Sequence, residues 1–350
     1  MAAENGTTWR DTFTTLKEYT RSCEDITLTR QSLRVPEKRR KSFYMLVSKA
    51  QKALAAHSLG DTISQGKELA TYCAQMREKL ILQTNLKEFR LASAIENFIE
   101  DSEATMAKLA FGIVLDGMQQ GLTPEQMEEQ ADRQIPPFCR DLFRNAYEAW
   151  LYYGVVAALE PKHFYGVYSS DTLEVQAVPT ESITVGDQIT SPERRIPEAV
   201  FVTKDERIFA MKSEVARELD YYGMRITRRR DFSCGGNTID QIAHRVLLLY
   251  RLESLEKIPL LANRDKLYLL PSDLMCEFLL PQEMEQPHLV SLFVDRIKTV
   301  RSRRPVQVLT WDEKGTFPVE MSEDITVPSV QRRVIRLDEE NLKEIAKLLH

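Results

Sequence analysis

Apolar residues return every three or four positions through roughly the first 160 residues of the chain, and in short alternating runs through the remainder. Trp9, Phe13, Leu16, Thr20, Cys23 and Ile26 form a stripe that predicts a helix from about Thr8 to Leu28. Pro36 suits the first turn of a second helix, whose inner face is Phe43, Leu46, Val47, Ala50 and Leu54 and which Gly60 ends. A third helix carries Ile63, Leu69, Ala70, Cys73, Met76 and Leu80. Leu91, Ile95, Phe98, Met106, Leu109 and Ile113 then predict one long central helix within Leu86 to Gly121, along which the others pack.

Gly121-Leu122-Thr123-Pro124-Glu125-Gln126 is the sharpest local signal: a glycine stop, a threonine cap, a proline at the first helical position and an acidic residue in the first turn. The helix it starts is expected to break at Pro136-Pro137, and a last helix with Leu142, Ala146, Trp150 and Tyr153 closes near Leu159. Short connections imply antiparallel neighbours, so residues 1–160 read as an all-α helical bundle.

Beyond Pro161 the texture changes: only Pro36, Pro124, Pro136 and Pro137 of the 15 prolines precede it, and turn residues bound each apolar run. Residues 161–350 read as an α+β domain of short hairpins and helices, with the boundary between Leu159 and Tyr168. Helices are expected at Thr238 to Leu252, at Pro287 to Val300 and after the cap Asp338, with a shorter amphipathic segment at Ser213 to Tyr222 and a strand at Val334 to Leu337. Ala199 to Val215 resembles Pro259 to Leu274 after one gap. Each reads as strand, turn at Asp205 or Asp265, strand, and a helix started by Ser213 or Ser272. Looser copies fall around Asp171 and Glu313.

A content of 43% hydrophobic and 28% charged residues implies a folded, soluble chain. The net charge of -5 is evenly spread, with 20 Lys+Arg against 22 Asp+Glu up to residue 160 and 27 against 30 after it, so neither half has the basic excess of a protein held mainly by phosphates. Five scattered cysteines with no CxxC pair argue against a disulfide framework or structural zinc, and the five histidines show no paired ligand spacing, so no metal or cofactor is implied. No apolar run reaches the length of a membrane span and no basic-then-apolar leader is seen, which makes the cytoplasm the expected location.

One constellation could carry chemistry. Gly235, Gly236, Asn237 and Thr238 would form a glycine turn opening a helix, with Arg225, Arg228, Arg229 and Arg230 just upstream, a possible cradle for a phosphate. It lacks the lysine of a P-loop and the spacing of a dinucleotide fingerprint, and a plain turn with a helix cap uses the same residues. The basic clusters Lys38 to Lys41, Arg301 to Arg304 and Arg332-Arg333 suit solvated faces or helix ends as well as they suit nucleic acid. The resulting expectation is a non-enzymatic interaction or regulatory protein with a protein partner. A nucleic-acid or nucleotide-phosphate binder is the first alternative, and a hydrolase using His163 or His244 is the second.

Overall fold

The computed structural model describes residues 8–30, 32–169, 174–185, 196–214, 233–234, 237–238, 245–263, 268–287, 289–290, 293–294, 297, 302–311 and 329–350. Helices come first and a region of mixed helix and strand follows, as the change of texture predicted. The chain falls into two compact units: Met1–Ala74 with Ser93–Tyr147, and Gln75–Ala92 with Glu148–His350. The partition therefore differs from a single cut at residue 160, because the segment around residues 75–92 belongs with the later part of the chain.

In the first unit, α1 (Trp9–Ser22) opens with a capping box in which Thr8 and Asp11 bond each other's backbone N–H. It ends short of the expected Leu28 because Thr27–Leu28 (β1) pairs antiparallel with Leu33–Arg34 (β2). The next helix, α2 (Glu37–Leu59), buries Phe43, Val47, Ala50 and Leu54 as its spacing required, and α3 (Thr62–Gln83) follows directly after Gly60. The expected long central helix is instead a strand and three short helices: β3 (Glu88–Arg90), α4 (Ser93–Glu100), α5 (Ser102–Met106) and α6 (Lys108–Gln120). Asp101 is the reason for one break, since its side chain accepts the Ala104 N–H and starts a new helix. Ile95, Phe98, Met106 and Ile113 are all buried all the same, so the period survived although the backbone ladder did not.

Gly121 adopts the left-handed conformation (φ 70°) that the stop before Thr123 required. The helix beyond it, α7 (Pro124–Ala158), runs through Pro136 and Pro137 where a break was expected. Ile135 and Cys139, on either side of the pair, are fully buried and anchor both halves. The prolines leave the carbonyls of Asp132 and Arg133 without an i+4 donor, and both residues are exposed, so water satisfies what the helix loses.

The second unit is organised by an eight-stranded mixed sheet rather than by separate short hairpins. Its strands are β4 (Pro161–Ser169), β5 (Val175–Pro179), β7 (Ala199–Thr203), β8 (Ile208–Glu214), β11 (Arg245–Leu252), β14 (Leu274–Phe278), β15 (Val306–Thr310) and β16 (Val330–Val334). They lie in the order β16-β15-β14-β11-β8-β7-β4-β5, with β14, β15 and β16 parallel and the remaining pairs antiparallel. Two-stranded pairs flank it: β6 (Ser182–Thr184) runs parallel to β3, β9 (Ser233–Cys234) pairs with β10 (Asn237–Thr238), and β12 (Ala262–Asn263) with β13 (Tyr268–Leu269).

Several expectations change here. Residues 245–252 form a central strand, not the end of a helix from Thr238. Val246 to Tyr250 are buried on both sides of the sheet, and a continuous apolar run has no period that separates a buried strand from a buried helix. Ser213 lies within β8, and Ser272 forms an isolated bridge to Ser302 just before β14, so neither starts a helix. Asp205 does sit in the turn between β7 and β8, while Asp265, Asp171 and Glu313 lie outside the described residues. Pro287, Leu289, Val290, Phe293, Val294 and Ile297 are helical as expected. Asp338 caps the helix Glu339–Ala346 through the Glu340 N–H.

The sheet is covered on both faces. On one, Val200, Ala210, Val246, Leu248, Met275, Val306 and Val308 pack with Phe293 and Ile297, so the helical residues that follow β14 cover this face. On the other, Phe164, Phe201 and Phe209 stack in sequence across the strands. Phe89 meets both Phe164 and Tyr153, and the Tyr153 hydroxyl donates to Ser213 Oγ at 3.2 Å, so the end of α7 covers this second face. The C-terminal helix joins it there: a Cβ on Gly154 would come within 2.6 Å of Leu342, and Arg207, whose guanidinium lies over Phe209, donates to the Leu349 carbonyl. Among the described residues, no helix is long and apolar enough to cross a membrane.

Candidate functional site

A parallel sheet has two chemically different ends. In open sheets of this kind ligands collect outside the carboxyl ends of the parallel strands, where consecutive connections leave toward opposite faces. The helical residues after β14 lie on the first face and the helix after β16 lies on the second, with β15 between them. The backbone ladder continues to the tips, since Leu279 N–H donates to Leu309 O and Ile335 N–H to Thr310 O.

Three polar side chains reach the first face at this end. Glu277 on β14 shares that face with Met275, Thr310 on β15 with Val308, and Arg332 on β16 with Val330. Glu277 and Arg332 flank Val308 in one register row, and Thr310 lies one row nearer the carboxyl tips. Glu277 is 3% exposed and Thr310 fully buried, and glutamate is seldom that buried without a specific role for its charge. Both Glu277 and Arg332 are held by further contacts. The Thr310 hydroxyl, by contrast, has no hydrogen-bond partner among the described residues.

Lys212, on β8 and level with Leu248 and Met275, is another buried charge, and its ammonium donates to the Ile196 carbonyl at 3.1 Å. On the second face Ser213 Oγ donates to Glu198 Oε2 at 2.8 Å. Cys276 lies on that face too, where burial pushes its thiol well up and outweighs the opposing pull of Arg333.

The opposite end of the same strands carries an open groove of about 620 Å³, lined by Asp205, Arg207, Arg251, Asp273 and Arg303 among others. Two of its arginines are paired with two of its aspartates. Arg207 Nε donates to Asp205 Oδ2 at 2.7 Å, and Arg303 Nη1 to Asp273 Oδ1 at 3.2 Å. Asp273 Oδ2 accepts the Arg251 backbone N–H at 2.6 Å. The Thr203 hydroxyl, then Arg207, hold the Asp205 carboxyl below the usual range. Such a groove is a rim braced by these pairs.

The residues singled out by sequence are dispersed. Arg225, Arg228, Arg229, Arg230, Gly235 and Gly236 lie outside the described residues, as does His244. Asn237 and Thr238 form a two-residue strand with Cys234 and Ser233. His163 is exposed on β4 beside Val202. Lys38 and Arg39 are engaged by Asp25, at 2.8 and 3.4 Å, which explains their place in the first turn of α2. Arg303 braces the groove, and Arg333 donates to Gln307 Oε1 at 2.6 Å. No group of His, Cys, Asp and Glu among the described residues is arranged to hold a metal ion.

Sequence reasoning missed Glu277 and Thr310, and singled out Arg332 only as part of a basic cluster. One signal was available: Glu277 is a lone charge inside the apolar run Leu274-Met-Cys-Glu-Phe278, at odds with its surroundings unless its charge is used. Compared with protein-family models, with curated proteins and with solved structures, the chain has no match.

Proposed function

We propose that this is a ligand-binding protein whose second unit takes a small polar molecule at the carboxyl ends of β14, β15 and β16. The observation that carries the reading is the buried hydroxyl of Thr310 at the carboxyl tip of β15, which has no hydrogen-bond partner among the described residues, with Glu277 and Arg332 on the same face. A hydroxyl buried without a partner costs about 1–3 kcal/mol. A bound ligand would recover that cost, and a site of this kind is built on strands, which position side chains better than loops do.

The test is to denature freshly purified full-length protein and look by mass spectrometry for a released small molecule, in the natural sequence and in Thr310→Val. A molecule retained by the first and depleted in the second supports the reading. Release of nothing, together with no compound from a broad metabolite library raising the unfolding temperature, removes it.

A protein-partner role for the helices is favoured by one observation. Tyr44 and Met45, adjacent on α2, are 45% and 51% exposed. Loss of a partner's binding in a Tyr44→Ala, Met45→Ala double variant would establish it. The polynucleotide reading rests on Arg225 to Arg230, and its mark would be binding that weakens steeply with added salt.

A further inference from the structure

We infer that the exposed face of α2 docks an acidic, amphipathic helix of a protein partner; this rests on the partner reading for Tyr44 and Met45 above and goes on to name the chemistry of what binds. The helix is basic in an acidic chain. It carries six lysines and arginines against one acid, Glu37, where the whole chain has a net charge of -5. Lys38 to Lys41 crowd its N-terminal end, where the helix dipole disfavours cations. Local partners account for part of this charge: Asp25 takes Lys38 and Arg39, Arg40 Nε donates to the Val35 carbonyl at 3.3 Å, and Lys52 meets Glu103 at 3.7 Å. Lys41 and Lys49 are exposed and form no ion pair among the described residues.

These two lysines bracket the apolar part of the face. Lys41, Tyr44, Met45, Ser48 and Lys49 follow at steps that return to one side of the helix, and Lys41 and Lys49 stand about 12 Å apart along it. Tyr44 and Met45, about half exposed, lie between them. The Tyr44 ring meets the buried Phe43 edge-on, with centroids 5.3 Å apart, so its place is set before a partner arrives and the ordering cost of binding falls. An apolar side chain seated on Tyr44 and Met45, with a carboxylate one turn to either side, meets both lysines. On a helix such groups recur at i, i+3 or i+4, and i+7.

Other anionic surfaces fit this face less well. Two unpaired lysines are far fewer than the roughly 6–10 phosphate contacts that make polynucleotide binding strong. An interfacial helix turns its apolar stripe toward the lipid, whereas the stripe of α2, Phe43, Val47, Ala50 and Leu54, is buried inside the fold.

The experiment selects peptides from a random displayed library on the full chain and discards those also held by the Tyr44→Ala, Met45→Ala double variant. The survivors are synthesised and titrated against the natural protein, that variant and the Lys41→Glu, Lys49→Glu double variant. All four positions are exposed, and circular dichroism of each variant separates lost binding from lost fold. The expected peptides become helical on binding and carry an apolar residue flanked by Asp or Glu. Their Kd rises about tenfold or more in each double variant, and exchanging their acids for lysine restores binding to Lys41→Glu, Lys49→Glu. Added salt weakens the natural pair.

Selected peptides that are neutral or basic, or that bind Lys41→Glu, Lys49→Glu as tightly as the natural protein, overturn the acidic partner and leave the partner reading standing on Tyr44 and Met45. A selection in which no peptide tells the natural protein from Tyr44→Ala, Met45→Ala removes both. Two further probes are a single-stranded oligonucleotide and vesicles of phosphatidylcholine with phosphatidylserine. Binding of either that is lost in Lys41→Glu, Lys49→Glu, with no acidic peptide bound, assigns the lysines to phosphate and overturns the inference.

Discussion

The two ends of the eight-stranded sheet handle charge in opposite ways. At the end marked by Asp205 and Asp273, these two carboxylates are met by an arginine each, Asp273 also by a backbone N–H, and each pair keeps one partner exposed to water. At the other end, Glu277 is buried and Thr310 carries a hydroxyl that meets no partner among the described residues. Exposed, matched pairs stabilise little, because water already solvates them, whereas burial magnifies every mismatch. The difference separates a rim that closes the fold from a place where stability has been left unclaimed, which is the signature of a site made for something else.

The largest expected effect tests whether the carboxyl end is truly electrostatically tense. Glu277→Ala should cost about 3–5 kcal/mol in urea unfolding, because it strands whatever charge now compensates the buried carboxylate. A loss below about 1 kcal/mol would make the two ends equivalent. Next comes a change of opposite sign. Thr310→Val should stabilise the ligand-free protein by about 1–2 kcal/mol by removing an unmet polar atom, and a destabilised variant would show that the hydroxyl is satisfied after all.

At the groove, Asp273→Ala should cost about 1–2 kcal/mol through the lost Arg251 N–H bond, while Arg303→Ala, which removes only an exposed ion-pair partner, stays below about 1 kcal/mol. Equal losses from the two would show that the ion pair, not the backbone bond, braces the rim. The smallest effect is in pH. Asp205 is held below its ordinary value of 3.8, first by Thr203 and then by Arg207. A depressed folded-state pKa contributes stability that is present above the unfolded value and lost as pH falls through the folded one. The slope of stability against pH should therefore flatten slightly below about pH 4 in Asp205→Asn, and an unchanged slope would mean that the turn does not sense the charge.

Local chemistry was legible in the sequence and long-range pairing was not. Gly121-Leu-Thr-Pro124, Asp338 and the stop at Gly60 all appear where their backbone preferences put them, because each depends on a few neighbouring residues. The turn at Asp205 was readable for the same reason. By contrast, Arg245 to Leu252 looks alike as helix or strand until β8 and β14 lie on either side of it. Asp101 could have warned of the break in the central segment, yet the apolar period ran straight across it. Glu277, Thr310 and Arg332 acquire meaning only from the parallel order of three strands, and no spacing along the chain records that order.

The pairing of Glu88–Arg90 with Ser182–Thr184 sets a clock for synthesis. Glu88 and Ser182 are 94 residues apart, and the segment around 75–92 packs with the unit formed later in the chain. At about 5–20 residues per second, β3 leaves the ribosome roughly 5–20 s before its partner strand exists. For the part of that interval before residues 153 and 164 are made, Phe89, fully buried in the finished protein, has neither Tyr153 nor Phe164 to meet. A nascent chain stalled before residue 153 would thus present that phenylalanine to chaperones, and release of the stall would withdraw it.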